Sequence, residues 1–231
     1  KAVQILANKA QGFDINFGCP VPKVIKQTAG CELFKNLKLS KEVIKQTIAN
    51  TNLPVSIKIR SQAGQINCLE FLDNVSDLDI KAIMIHGRSF KQGFVGPVDY
   101  EIIKKARNHF KGIILANGGV DSIESAKLML EKTGADGIGI AQGAMGRPWL
   151  FEEIKYGKHD KSRDEIFKIM LEHAKLAQKY SKQSGISFNE IRKHLGWYVS
   201  GFPQAKIMRK ALVQSNSLKE IKLILKQYKQ P

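Results

Sequence analysis

Short apolar runs alternate along this chain with longer stretches in which apolar residues recur every three or four positions. The runs at residues 3–6, 13–17, 55–60, 82–87, 112–116 and 137–141 end on glycine, proline or polar residues, and six strands are predicted there. Between them the period becomes that of amphipathic helices. Ser40 is placed to cap the helix carrying Val43, Ile44 and Ile48. Asn67 with Glu70 forms a capping-box pair ahead of Phe71 and Leu72, and Asp121 with Glu124 repeats the pattern ahead of residues 128–130. Strand and helix in alternation describe parallel strands joined by helical crossovers. Beyond a polar, charged stretch at 157–163 the strand signal stops, and 164–180, 187–199, 203–214 and 217–228 all show helical spacing. The predicted organisation is a β/α domain over 1–156, a linker over 157–163 and a small helical domain over 164–231.

Two α/β architectures fit such an alternation, the open doubly wound sheet and the closed TIM (β/α)8 barrel. The polar residues separate them, because they fall at the carboxyl ends of nearly every strand: Asn16 and Cys19, Lys58 and Arg60, His86 and Arg88, Asn117 and Gly118, Gln142 and Gly143. A barrel gathers all its strand ends around one mouth, whereas an open sheet concentrates its site at one switch point. The barrel is favoured. Six strands are two short of eight, and the six residues 7–12 cannot form a crossover of about a dozen. The expectation is a barrel lacking its first two strands, with those strands preceding Lys1 and a helix missing between about residues 7 and 12.

Composition narrows the class. A chain of 231 residues that is 43% hydrophobic can bury a large core. No apolar run approaches the length of a membrane span, so a soluble protein with no membrane partner is expected, and the few, uneven cysteines suggest a cytoplasmic one. Three cysteines, Cys19, Cys31 and Cys68, make neither a disulfide framework nor a zinc site, and no metal is expected. Cys31 and Cys68 read as small core residues on helices. Lys and Arg number 37 against 21 Asp and Glu, a formal net charge of +16 that suggests a polyanionic partner.

Candidate chemistry concentrates at the strand ends. Cys19 stands where a strand breaks into a loop between Gly18 and Pro20, unlike a structural cysteine inside an apolar run. Alternation in Ser56-Ile57-Lys58-Ile59-Arg60 turns Lys58 away from the face of Ile57 and Ile59, toward the mouth. His86 ends a strand and is followed by Gly87-Arg88-Ser89. The irregular loop 91–99, with two glycines and Pro97, is a candidate for gripping a substrate. The glycine-bearing turns 115–119 and 140–144 each follow a strand, the usual place for a phosphate in a barrel.

The string Asp14-Ile15-Asn16-Phe17-Gly18-Cys19-Pro20 with Lys23-Val24 and Gly30 resembles the signature of the tRNA-dihydrouridine synthases, flavin enzymes that reduce particular uridines of tRNA. His86-Gly87-Arg88-Ser89, loop 91–99, both glycine turns, Gly146-Arg147-Pro148-Trp149 and Arg192-Lys193-His194 before Trp197-Tyr198 extend the likeness over residues 3–216. It implies uridine reduction in the D-loop through bound FMN, with NADPH as reductant and Cys19 as the general acid at C5. It assigns Gln4, Lys58, His86, Asn117, Gly118, Gly119, Ala141, Gln142 and Gly143 to the cofactor, and Asn16, Lys23, Arg88, Arg192 and Lys193 to the substrate. The tRNA partner would lie on the C-terminal helices, where Lys206, Arg209 and Lys210 add basic groups, and a monomer is expected. Trp197 is expected in the helical core. The chain departs from the family pattern where Ala141-Gln142 replaces the usual Gly-Arg, where Ser89 replaces Thr, and in lacking a Pro-Met turn. Two rival readings are an FMN barrel acting on a free pyrimidine, like dihydroorotate dehydrogenase, and a flavin-free RNA-binding protein on an altered barrel.

Overall fold

The computed structural model describes residues 1–158 and 160–228; His159 of the expected linker and the last three residues of the expected helical domain lie outside them. The chain divides into two compact units, Lys1–Ala141 and Gln142–Pro231. The first ends ahead of the boundary expected at 156, and residues 142–156 group with the helices.

In the first unit, helix α1 (Ala2–Leu6) leads into strand β1 (Phe13–Asn16). Then come α2 (Pro22–Ile25), α3 (Cys31–Phe34), α4 (Leu37–Ala49) and β2 (Val55–Arg60). A two-residue hairpin, β3 (Gln62–Ala63) with β4 (Ile66–Asn67), precedes α5 (Cys68–Asn74) and β5 (Ala82–His86). The unit closes with α6 (Tyr100–Lys105), β6 (Ile113–Asn117), α7 (Ile123–Thr133) and β7 (Gly137–Gly139). The main sheet is parallel with order β1-β2-β5-β6-β7, so sequence neighbours are spatial neighbours throughout. Helix α4 packs on α5, α5 on α6 and α6 on α7, one continuous layer. That is the arrangement of a β/α barrel, since a doubly wound sheet reverses its strand order and places helices on both faces.

Two expectations about the start of the chain are corrected. Residues 3–6 form α1, not a strand, so the described sheet has five strands instead of six. With a helix there already, followed by a single 3₁₀ turn at Ala7–Lys9, residues 7–12 need no missing crossover. A four-residue run with Val3, Ile5 and Leu6 carries too little periodicity to distinguish helix from strand. Two caps are also corrected. Asn36 caps α4 by accepting from the Leu39 amide, while Ser40 lies buried and donates to the Leu33 carbonyl. Ser122, not Asp121, caps α7, in a reciprocal box with Ser125. Asn67 caps α5 as expected.

The core follows from the period-two pattern. Val55, Ile57, Ile59, Ile83, Ile85, Ile114 and Ala116 are buried, on the face the helices cover. Phe71 stacks on Phe34 at 4.7 Å between ring centroids and meets Phe17 at 5.3 Å, fastening α3 and α5 to the segment after β1. Cys31 and Cys68 are buried at helix starts, as expected.

The second unit holds α8 (Leu150–Tyr156), α9 (Arg163–Ser184), α10 (Ile191–Tyr198), α11 (Ala205–Gln214) and α12 (Leu218–Gln227). Phe167, Met170, Leu195, Met208, Leu212 and Ile221 form its core. Ser162 and Glu165 make the capping box that starts α9. Tyr198 is the buried aromatic of α10; Trp197, expected in the core, is only partly covered, with its backbone against Gly146. Among the described residues no helix is long and apolar enough to cross a membrane.

Candidate functional site

The strand register assembles the candidate residues of the first unit. Asn16 pairs with Lys58 and Lys58 with Met84; two residues on, Arg60 pairs with His86 and His86 with Asn117, which pairs with Gly139. Side chains two apart on a strand share a face, so Lys58, Arg60, His86 and Asn117 all project from the side opposite the Ile57 and Ile59 layer, at the carboxyl end of the sheet. Lys58 is thus placed as its alternation predicted.

Cys19 is held over this row by backbone contacts. The Asn16 side-chain oxygen accepts from the Gly18 amide at 2.9 Å, and the Cys19 carbonyl accepts from the Cys31 amide at 3.0 Å. Gly30, at φ +59° and ψ −128°, lets the chain pass directly beneath. The Cys19 side chain is half-buried and within electrostatic reach of Lys58 and Arg60. Burial pushes the neighbouring Cys31 thiol up to about 11.

His86 is only 5% exposed, and among the described residues no group hydrogen-bonds its ring. Burial, and then the positive Arg60, Lys58 and Arg88, push its pKa down to about 4, so the imidazole is neutral. Burial followed by the charge of Arg60 also lowers the Lys58 ammonium below its ordinary value. Gly118 closes on His86: a Cβ there would lie 2.9 Å from the ring. Asn117 donates to the Gly139 carbonyl at 2.7 Å, and Arg88 donates to the Gly96 carbonyl at 2.7 Å. Lys58, Arg60 and the nearby Arg88 outnumber Asp14, the acidic group within electrostatic reach of Lys58, and make this a place for an electron-rich or anionic ligand.

Arg60 has the largest structural share, which nothing in its local sequence signalled. Its side chain is 2% exposed, Nε donates to the Gly18 carbonyl at 2.9 Å, and Nη1 donates to the carbonyls of Gly93 at 2.7 Å and Ser89 at 3.2 Å. The guanidinium also lies 5.5 Å from the centre of the Phe94 ring.

Other expected residues fall elsewhere. Gln4 sits on α1, and its amide donates to Asn50 at the end of α4, next to the turn that enters β2. That is the amino end of the sheet, the opposite end from Cys19 and His86, so Gln4 is not brought together with the other residues expected at the cofactor. Lys23 is exposed on α2. Ala141 ends the first unit, and Gln142 and Gly143 open the second in a 3₁₀ turn. Arg147 is ion-paired with the buried Glu153. Arg192 donates to the Ser215 carbonyl at 2.8 Å and to Asn216, which ties α10 to the turn after α11. Arg209 on α11 donates to the Gly196 carbonyl of α10 at 3.1 Å. Lys193 is exposed beside Glu190 at 3.1 Å.

A parallel sheet wound in strand order, with a loop thiol over a cationic row at its carboxyl end, is a β/α fold with its candidate site where barrels carry theirs. The profile of the Dihydrouridine synthase (Dus) family matches residues 1–230, and the chain belongs to that family. It is 34% identical to the probable tRNA-dihydrouridine synthase 1 of Synechocystis sp., over 98% of this chain and 65% of that one. It is 35% identical to the tRNA-dihydrouridine synthase B proteins of Shewanella oneidensis, over 81% of this chain and 60% of that one, and of Pseudomonas syringae, over 87% and 61%. The chain therefore spans 60–65% of the length of these relatives.

Proposed function

We propose that this chain reduces uridines of the tRNA D-loop to 5,6-dihydrouridine, using FMN with NADPH as the reductant. The observation that carries the reading is the alignment of Lys58, Arg60, His86 and Asn117 in adjacent strands beneath the Cys19 loop. These residues fit the cofactor. His86 is a largely buried, neutral ring suited to a hydrogen bond, and Lys58 and Arg88 would supply positive charge to the flavin. The turn at Asn117, Gly118 and Gly119, with both glycines at positive φ, suits close approach by a phosphate. Ala141, Gln142 and Gly143 keep the phosphate role that the resemblance gives them. When bound, FMN would supply the hydride received at C6 of the uracil.

The chain's own residues supply the rest. Cys19 delivers a proton to C5 from its thiol. Asn16, its oxygen committed to the Gly18 amide, presents its NH2 group to the base. The uridine has to leave its stack, since C5 and C6 are out of reach within it. Lys23, Arg88, Lys193 and the exposed lysines of the helical unit are the candidate phosphate contacts. The test is to map dihydrouridine in tRNA from cells with and without the gene, and with Cys19→Ala. That variant should keep NADPH oxidation by the flavin and lose product formation by about 10²-fold or more; full turnover in it would remove the thiol from the mechanism.

A further inference from the structure

We infer that Arg60 is a positioning residue that couples the seating of the loop bearing Phe94 to the placement of Cys19, so that the proton donor is set only when that loop is closed down. The inference rests on the reading of Cys19 as the proton donor.

Arg60 belongs to neither segment that it joins. Through Nε it holds the Gly18 carbonyl, the peptide immediately before Cys19, at 2.9 Å. Through Nη1 it holds Gly93 at 2.7 Å and Ser89 at 3.2 Å, at the two ends of the turn that presents Phe94. A guanidinium is a rigid planar fork, so a shift at one end is passed to the other without loss in a flexible tether. The 2% exposure of Arg60 prevents water from replacing either set of contacts. Gly18 itself packs on Arg60, since a Cβ at that position would lie 3.5 Å from the arginine Cγ.

The loop has a reason to move. Phe94 is 57% exposed and Val95 74%, a costly pair of apolar side chains to leave in water unless something covers them. Among the described residues the ring contacts of Phe94 are with the Arg60 guanidinium and with the tilted ring of His86 at 6.5 Å between centroids. A planar ligand over His86 that touches Phe94 would press the turn onto Arg60, which would draw on the Gly18 carbonyl. The ordinary expectation for a buried arginine is a purely structural role, with no communication between the loops.

Cys19 offers a readout that needs no turnover, because Cys31 and Cys68 are fully buried and Cys19 alone is open to a thiol reagent. The rate of Cys19 alkylation by iodoacetamide would be measured in the full protein, with Cys19→Ser as the blank. Phe94→Ala, which leaves Cys19 and Arg60 in place, should change that rate by about threefold or more, the size of a modest coupling between neighbours. In an Arg60→Lys background, where a single ammonium keeps the charge but cannot span both segments, the same Phe94 substitution should have no further effect. An unchanged rate in Phe94→Ala, or an equal effect in both backgrounds, overturns the coupling. Should Arg60→Lys fail to fold, hydrogen exchange at the Cys19 amide in Phe94→Ala decides: altered protection supports the coupling and unaltered protection overturns it. Since alkylation does not depend on catalysis, it separates this inference from the role of Cys19, which the product assay of Cys19→Ala tests alone.

Discussion

Gly30 passes beneath Cys19 so closely that a Cβ at position 30 would lie 2.5 Å from the Cys19 carbonyl oxygen and 2.9 Å from the Cys19 Cβ. The next residue donates its amide to that same carbonyl. The loop thiol is therefore seated on a stretch of chain eleven residues downstream, and the seat exists only because position 30 has no side chain.

Gly30→Ala should accordingly cost about 2 kcal/mol or more in stability, from backbone strain and from a clash against backbone that cannot yield. Gly64→Ala is the control. It also has positive φ, but its Cβ would meet only the flexible Lys35 side chain at 3.4 Å, so about 1 kcal/mol is expected. Urea titrations of the two variants should differ in this order. Similar losses would show that the Cys19 loop readily shifts aside.

His86 gives the first unit a pH dependence. Its folded pKa of about 4 lies below the unfolded 6.5, so between these values the unfolded chain binds more protons than the folded one. Its contribution to stability is constant above about pH 6.5 and is lost as pH falls toward 4. The protein should weaken by an amount on the order of 3 kcal/mol over that window, and His86→Asn should remove this part of the slope. His173 and His194 of the helical unit, both lowered by burial, act with the same sign and remain in the variant. A slope unaltered in His86→Asn would mean that the ring is hydrated in the folded protein.

Arg192 and Lys193, adjacent in sequence, should behave differently. Arg192→Ala leaves the buried Ser215 carbonyl without its donor and should cost about 1–3 kcal/mol in thermal or urea unfolding. Lys193→Ala, at an exposed ion pair, should change stability by less than about 0.5 kcal/mol. Equal losses would contradict the clamp assigned to Arg192.

Lys206 and Lys210 are exposed on α11 and ion-paired with nothing among the described residues. If the helical unit carries RNA, replacing either lysine by Ala should weaken tRNA binding. The slope of log affinity against log salt should then become shallower by about one for each phosphate that goes unneutralised. Filter binding over roughly 50 to 200 mM salt would measure it. An unaltered slope would assign RNA binding to other residues.

Much of this was written locally in the sequence. Period-two runs placed β1, β2, β5 and β6 within a residue or so, because a half-buried strand has to alternate whatever surrounds it. Helical spacing found α9 to α12 as well, with the end of α9 and the start of α10 misplaced by four residues. The chain breakers around Cys19, the face of Lys58 and the family signature marked the site, since the chemistry needs those residue types at the ends of strands. Only the tertiary structure decided the remainder. Four apolar or neutral residues at 3–6 suit helix or strand equally, and in the folded chain they are a helix whose Gln4 is tied to Asn50, at the far end of the sheet. Capping by Asn36 and Ser122 depended on where each helix axis began, which neighbouring elements fix. Arginines at 60, 192 and 209 read as free positive charge, yet each guanidinium is spent on carbonyls 13 to 42 residues away in sequence. The charge of such a side chain is legible from its residue type, but folding alone brings up the unpaired carbonyls that it has to satisfy.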